Sequence, residues 1–193
     1  MIFHYNGKFN GDEDTLPNGA HHPGAVLFRE PDEKKLPIIA NGGAFVIAVF
    51  TVGALLLRGG SMRDNILAYE LGFLAALVAM VPHEFLHALC FKEDVYMYTW
   101  LNKGMLFVFG PEPMTKAHFT FMSMLPNLVF GFIPFILFLI HPAWTFLGAL
   151  GALSVPAGFG DYMNVFNALT QVPKGGLIYM YGLHSYWYKV ATD

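Results

Sequence analysis

Charged residues are scarce in this 193-residue chain, because Asp, Glu, Lys and Arg together make up only 13% of it. An ordinary soluble domain carries about 25% of these residues. Hydrophobic residues make up 55% of the chain, and its mean hydropathy is +0.46. This shortage of charge excludes an ordinary soluble domain and predicts an integral membrane protein.

Cysteine and clustered basic residues are missing as well. Because Cys90 is the single cysteine, a disulfide bond within the chain is excluded. The Lys and Arg residues are scattered and the formal net charge is -3. No basic patch therefore indicates nucleic acid as a partner.

Four apolar stretches are each long enough to cross a hydrocarbon core of about 30 Å as a helix. They cover residues 38–57, 66–91, 119–140 and 143–169. We therefore predict an all-α membrane domain with about four transmembrane helices at residues 37–170. It would lie between an N-terminal arm at residues 1–36 and a C-terminal tail at residues 171–193.

The orientation in the membrane is predicted from the basic residues. Most Lys and Arg residues fall on the side that holds both termini, and cytoplasmic loops are enriched in these residues. We expect a multi-pass protein of the cell membrane with both termini in the cytoplasm.

A β-hairpin is predicted between the second and third apolar stretches, at about residues 93–113. Two runs of aromatic and β-branched residues there flank Asn102-Lys103-Gly104, which favours a turn. Short strands are also expected in the terminal arms, one of them in "GAVLFRE" at residues 24–30. The hairpin could hold an extended substrate peptide by strand addition, or it could lie at the lipid headgroups with its aromatic side chains.

The stretch "VPHEFLHALC", residues 81–90, places three ionisable side chains in the second apolar stretch. Such groups are costly in a bilayer, so they are usually paired or functional. On a helix, His83 and His87 lie on one face, and Glu84 lies beside them. In this H-E-x-x-H pattern two histidines bind zinc and the glutamate is the general base for a metal-bound water. The alternative is a pair of core histidines bonded to backbone carbonyls, with Glu84 paired to one of them.

A catalytic zinc needs a third protein ligand, and helix geometry favours Asp161. It is the only acid in the fourth apolar stretch, and it lies as deep from the cytoplasmic end of its helix as His83 does in its own, about 12 Å. Glu93 is displaced along and around the motif helix, and a single membrane cysteine such as Cys90 is usually a packing residue. The alternative for Asp161 is a structural acid near a kink at Pro156.

Two asparagines and several glycines complete the candidate site. Asn127 and Asn164 are candidates for stabilising an oxyanion or orienting a ligand, and either could instead bond between helices. The glycines at positions 148, 151, 158 and 160 would let the fourth helix approach another helix closely.

The motifs "HEFLH", "GDYMN" and "VPKGGLIYMY" resemble those of the small bacterial membrane proteins known as putative zincin peptidases. The chain is also similar to the site-2 protease class of intramembrane zinc metalloproteases. In that class the aspartate is followed by a glycine, whereas here Gly160 precedes Asp161 and Tyr162 follows it. The resemblance implies that His83, His87 and Asp161 bind zinc and that Glu84 is the base.

We therefore predict an intramembrane zinc metalloprotease with one zinc ion per chain, acting in or near the cytoplasmic half of the bilayer. Its partners would be the lipid bilayer and a membrane-embedded or membrane-proximal peptide substrate. Two alternatives are a catalytically silent adaptor of the same fold and a small transporter in which the same acid and histidines form a proton or metal path.

Overall fold

In a computed structural model of the protein, residues 1–32 and 34–190 are described. Short 3-10 turns occur at Glu13–Thr15 and Leu101–Lys103. In chain order the helices and strands are β1 (Phe3–Lys8), β2 (Val26–Leu27), α1 (Leu36–Arg58), α2 (Met62–Val78), α3 (Met80–Ala88), β3 (Val95–Trp100), β4 (Met105–Phe109), β5 (Met114–Thr115), α4 (Lys116–Pro126), a π-helical segment (Asn127–Phe132), α5 (Ile133–Ile140), α6 (Thr145–Ala157), α7 (Phe159–Gln171), β6 (Gly176–Tyr181) and β7 (His184–Lys189).

Two helical stretches are long and apolar enough to span a membrane. One is α1, with 23 residues, and the other is the 25-residue stretch Lys116–Ile140, formed by α4, the π-helical segment and α5. The bent pair of α2 and α3 makes a third span if the two helices cross together. These helices are consistent with a membrane protein, whereas the predicted count of four spans is not confirmed.

The predicted fourth span, residues 143–169, is divided at Gly158 into α6 and α7. Each of these helices has 13 residues, whereas a single span needs about 20. Pro156 has no N–H to donate within α6, and the backbone N–H of Gly158 caps that helix. Because α7 also carries polar residues such as Asp161 and Asn164, it is poorly suited to lipid on all sides.

The helices α2 and α3 meet at a bend of 41° next to the ionisable motif. Pro82 lies in the first turn of α3 and has no N–H for the Val78 carbonyl, which is a usual cause of such a kink. The helix ends at Ala88, because Cys90 and Phe91 donate to carbonyls only three residues back. The second apolar stretch is therefore a broken helix rather than a straight one.

The surface of α1 is apolar on its exposed side. Phe45, Phe50 and Leu57 are 70%, 73% and 88% exposed. Only 11% of the most apolar 18-residue stretch of this helix is buried. Such a large apolar surface is unusual in water, but it matches lipid tails, which are as apolar as leucine.

The chain forms two compact units, and one of them consists of Pro31–His83 and Met124–Met163. Within it, α6 packs against α1, α2 and α5. Gly148 lies against the ring of Phe138, and Gly151 lies against the backbone of α5. A side chain at either glycine would push the helices apart, so the prediction that these two glycines allow close packing is confirmed.

The other unit consists of Met1–Glu30, Glu84–Ser123 and the residues from Asn164 onward. It contains both β-sheets, with the strand orders β1-β3-β4 and β2-β7-β6-β5. The predicted all-α class is corrected accordingly, to a mostly helical protein with two sheets. The expected strands of the terminal arms are present. β1 and β6 pair with β3 and β5 from the middle of the chain, whereas β2, in "GAVLFRE", pairs with β7 of the other arm.

The predicted hairpin is present as β3 and β4. These strands pair antiparallel from Tyr96 with Phe109 to Trp100 with Met105. Gly104 closes the turn in the left-handed conformation, with φ 62°, which glycine adopts without a steric penalty. β1 pairs in parallel with the other side of β3, and this leaves β4 as an outer strand of the sheet.

Candidate metal centre

The ionisable side chains of the motif converge on one side of α3. The ligand atoms of His83, Glu84 and His87 all lie within 4.8 Å of one another. This follows from helix geometry, since residues four apart lie one turn above each other and Glu84 follows His83 directly. Among the described residues this is the one group of three or more such side chains that is compact enough to hold a metal.

The ring of His87 is fixed in one tautomer by its backbone partner. Its Nδ1 lies 2.9 Å from the carbonyl oxygen of Met122, and the residue is only 8% exposed. A carbonyl can only accept a hydrogen bond, so Nδ1 carries a proton, and in the neutral ring the lone pair then lies on Nε2. This is the arrangement that metal-binding histidines commonly adopt.

Asp161 contacts the motif at the side chain of His83. The distance between Asp161 Oδ2 and His83 Nε2 is 3.2 Å, and the two side chains are 16% and 20% exposed. Two ligands of a tetrahedral zinc, each about 2.0–2.2 Å from the metal, lie about 3.3–3.6 Å apart. At 3.2 Å the two atoms lie slightly closer together than this. Their nitrogen and oxygen donors suit zinc, while Asp161 as a third ligand stays a prediction.

Asn127 orients the carboxylate of Asp161. Its Nδ2 donates to Asp161 Oδ2 at 2.7 Å, and Asn127 is almost fully buried. The residue begins the π-helical segment, in which the Ile133 N–H donates to the carbonyl of Leu128, five residues back. Such wide turns are frequent at functional sites, and this one begins at the residue that contacts the candidate ligand.

Gly158 makes room for this asparagine. A Cβ at Gly158 would overlap the Asn127 side chain, and the Tyr162 hydroxyl would also lie close to it. That hydroxyl donates to the carbonyl of Val155 at 2.7 Å. By contrast, Gly160 has open space around its Cβ position. The sequence indicated small residues in this stretch but not that one of them serves Asn127.

The other candidates from the sequence lie apart from these contacts. The Cys90 thiol donates to the Leu86 carbonyl at 3.5 Å, and Glu93 is exposed in the turn after α3. Asn164 lies one turn beyond Asp161 on α7, and within the described residues no hydrogen bond joins it to the motif. Its role stays a prediction.

Two histidines and a glutamate at this spacing on one helix are typical of zincin-type metallopeptidases. Residues 76–177 match the family described as putative zincin peptidase. The protein belongs to this family, as its motifs suggested, and the matched region includes the motif helix, the hairpin and Asp161. Comparison with curated proteins and with solved structures found no match.

Replacing Asp161 tests the third ligand. We expect Asp161→Ala to weaken zinc binding by more than about 100-fold, because losing a ligand should exceed the 10- to 100-fold effect of losing a residue that supports one. Metal analysis and chelator competition on the purified, folded protein measure this change.

Two matched variants serve as controls for Asp161→Ala. Glu93→Gln and Cys90→Ser should bind zinc as the wild type does, because among the described residues neither side chain forms a hydrogen bond or ion pair with a motif histidine. Full zinc occupancy in folded Asp161→Ala protein, or a loss confined to either control, would show that this ligand set is wrong.

Two neighbouring glycines separate the effect of Asn127 from a general effect on the helix. Gly158→Ala should displace Asn127 and weaken zinc binding by about 10- to 100-fold, as expected when a ligand loses its supporting hydrogen bond. Gly160→Ala should leave zinc binding unchanged, because its Cβ enters open space. Equal zinc affinity in the two variants would contradict the role of Asn127.

Proposed function

We propose that this protein is an intramembrane zinc metallopeptidase in which His83, His87 and Asp161 hold one zinc ion and Glu84 is the general base. The main observation in its support is the convergence of the His83, Glu84 and His87 ligand atoms on an apolar broken helix. Membership of a peptidase family supports the class of reaction. Cleavage in the cytoplasmic half of the bilayer follows from the orientation predicted by the basic residues.

The donor set suits the chemistry that peptide hydrolysis requires. Bound zinc would polarise the scissile carbonyl and make a water molecule more acidic. His87 offers Nε2 while its Nδ1–H stays on the Met122 carbonyl. The amide of Asn127 holds Asp161 Oδ2 in place, so Asn127 supports a ligand and does not act on the oxyanion in this proposal.

Glu84 moves the proton during the reaction. Its carboxylate accepts a proton from the attacking water as the oxygen bonds to the scissile carbon. The same proton then passes to the leaving nitrogen as the C–N bond breaks. Asn164, on the same helix as Asp161, keeps the candidate role of a donor to the oxyanion.

The substrate in this proposal is an extended peptide that adds to β4 as a further strand. Backbone hydrogen bonds at a sheet edge hold such a peptide extended. Of the two outer strands, β1 has a register shift between Tyr5 and Lys8, and such irregularities disrupt edge pairing. In contrast, β4 pairs with β3 at five consecutive positions, so its free edge is regular.

Replacing Glu84 tests the general base. Glu84→Gln should retain zinc and lose cleavage by at least about 100-fold, because an amide cannot accept the proton. The assay uses the full chain in proteoliposomes with a quenched fluorescent library of apolar peptides, beside metal analysis of the same preparation.

The same preparation distinguishes the other functions. Undiminished cleavage by Glu84→Gln would show that Glu84 is not the base. Zinc-loaded wild-type protein that cleaves no peptide would favour the adaptor, whereas metal uptake into sealed vesicles that survives Glu84→Gln would favour the transporter.

Proline at adjacent positions of β4 tests strand addition. Successive N–H groups of a strand point in opposite directions, so one of Met105→Pro and Leu106→Pro removes a donor to β3 and the other removes a donor at the free edge. The variant that loses the donor to β3 should disrupt the hairpin. The variant that loses the donor at the free edge should keep the fold and lose cleavage. Circular dichroism follows the fold, and the peptide assay follows cleavage. If the folded variant cleaves like the wild type, the substrate is held elsewhere.

A further inference from the structure

A buried acid that is not among the proposed ligands lies in the unit that contains the hairpin. Glu112 is only 7% exposed, and its Oε2 accepts the backbone N–H groups of Lys92 and Glu93, both at 2.7 Å. These two N–H groups belong to the turn that leads from the end of α3 to the start of β3. One carboxylate oxygen thus holds the chain immediately after the helix that carries Glu84 and His87.

The segment that carries Glu112 follows β4 directly, and its prolines restrict its backbone. In "GPEP", residues 110–113, prolines flank the glutamate, and a residue before a proline is restricted to extended conformations. Gly110 lies so close to the ring of Phe91 that a Cβ there would overlap it. Phe91 is almost fully buried and directly precedes Lys92.

These contacts form one connection, which we call the Glu112 clamp and define by Phe91, Lys92, Glu93, Gly110 and Glu112. It joins the end of β4 to the end of α3 without passing through β3. The buried side of the hairpin packs on the same helix, because Val95 and Val108 share a hydrophobic cluster with Ala88.

Hydrophobic contacts of this kind permit small sliding movements, whereas two short hydrogen bonds to one buried oxygen fix a position. Losing a buried acceptor leaves two donors unpaired, which is costly. The clamp therefore sets the distance and angle between the outer strand β4 and the helix that carries Glu84.

We propose that Glu112 is a positioning residue, which holds the substrate-binding edge of β4 in register with Glu84 and the metal. This inference rests on the proposed function, since it assumes that β4 binds the peptide. It makes Glu112 a determinant of cleavage that contacts neither zinc nor substrate.

Spin labels on β4 and α3 measure the position directly, without requiring activity. Leu89, which directly follows α3, and Met105, in β4, are both exposed. Labels there, in a Cys90→Ser background, report the distance between the end of α3 and β4. Glu112→Ala should broaden the distance distribution. Glu112→Gln should keep it narrow, because the amide oxygen also accepts from both N–H groups. Glu93→Ala is the matched control, since it removes a carboxylate from the same turn but keeps the backbone donor.

Cleavage of the quenched fluorescent library in proteoliposomes gives the functional effect. Glu112→Ala should lower kcat/KM by about 100-fold, the size expected when a distant change misplaces reacting groups by about 1 Å, with zinc content unchanged and activity restored in Glu112→Gln. If Glu112→Ala does not fold, Glu112→Asp replaces it, because the shorter side chain withdraws the same carboxylate from its donors.

The two measurements separate the failures of the two proposals. A wild-type protein that cleaves nothing contradicts the proposed peptidase, and the label distances still decide whether Glu112 fixes β4. An unchanged distance distribution in the folded Ala or Asp variant would overturn the positioning role, as would loss of zinc or equal loss of cleavage in Glu112→Gln.

Discussion

A carboxylate surrounded by apolar helices must have polar partners, and much of the structure around Asp161 meets this requirement. Asn127 donates to its Oδ2 and His83 faces the same oxygen. The asparagine reaches this position from a π-helical segment, and it fits there only because residue 158 is glycine. The break between α6 and α7 and the wide turn after α4 thus both serve one partly buried hydrogen bond.

The motif helix is held in the same way by hydrogen-bond partners from other segments. The carbonyl of Met122 fixes the ring of His87, and Glu112 fixes the turn that follows α3. Both partners come from outside the helix, so the orientation of the motif depends on tertiary contacts and not on helix geometry alone. A site held by such outer contacts is organised before metal or substrate arrives.

The sequence predicts those features that depend on local spacing. Residues four apart on a helix bring His83 and His87 together, and the turn at Gly104 produces the hairpin. Equal depth in two helices was enough to propose that Asp161 meets His83. The features that depend on distant partners were missed: β1 pairs with a strand about 90 positions away, and nothing local marks Glu112 as the acceptor for Lys92. Hydropathy also predicts one long helix at residues 143–169, because it cannot detect the break between α6 and α7 at Gly158.

Three irregularities in otherwise helical segments lie beside the proposed site. Pro82 precedes His83 at the bend, Asn127 starts the π-helical segment, and Gly158 stands three residues before Asp161. A regular helix in lipid satisfies all its backbone groups internally, and departures are tolerated where protein or water supplies other partners. Peptide hydrolysis needs such a place, because water must reach an extended backbone. In the proposed peptidase, the positions where these helices break would admit water and the extended peptide. The polar residues gathered there supply hydrogen-bond partners for the irregular backbone in an apolar surrounding.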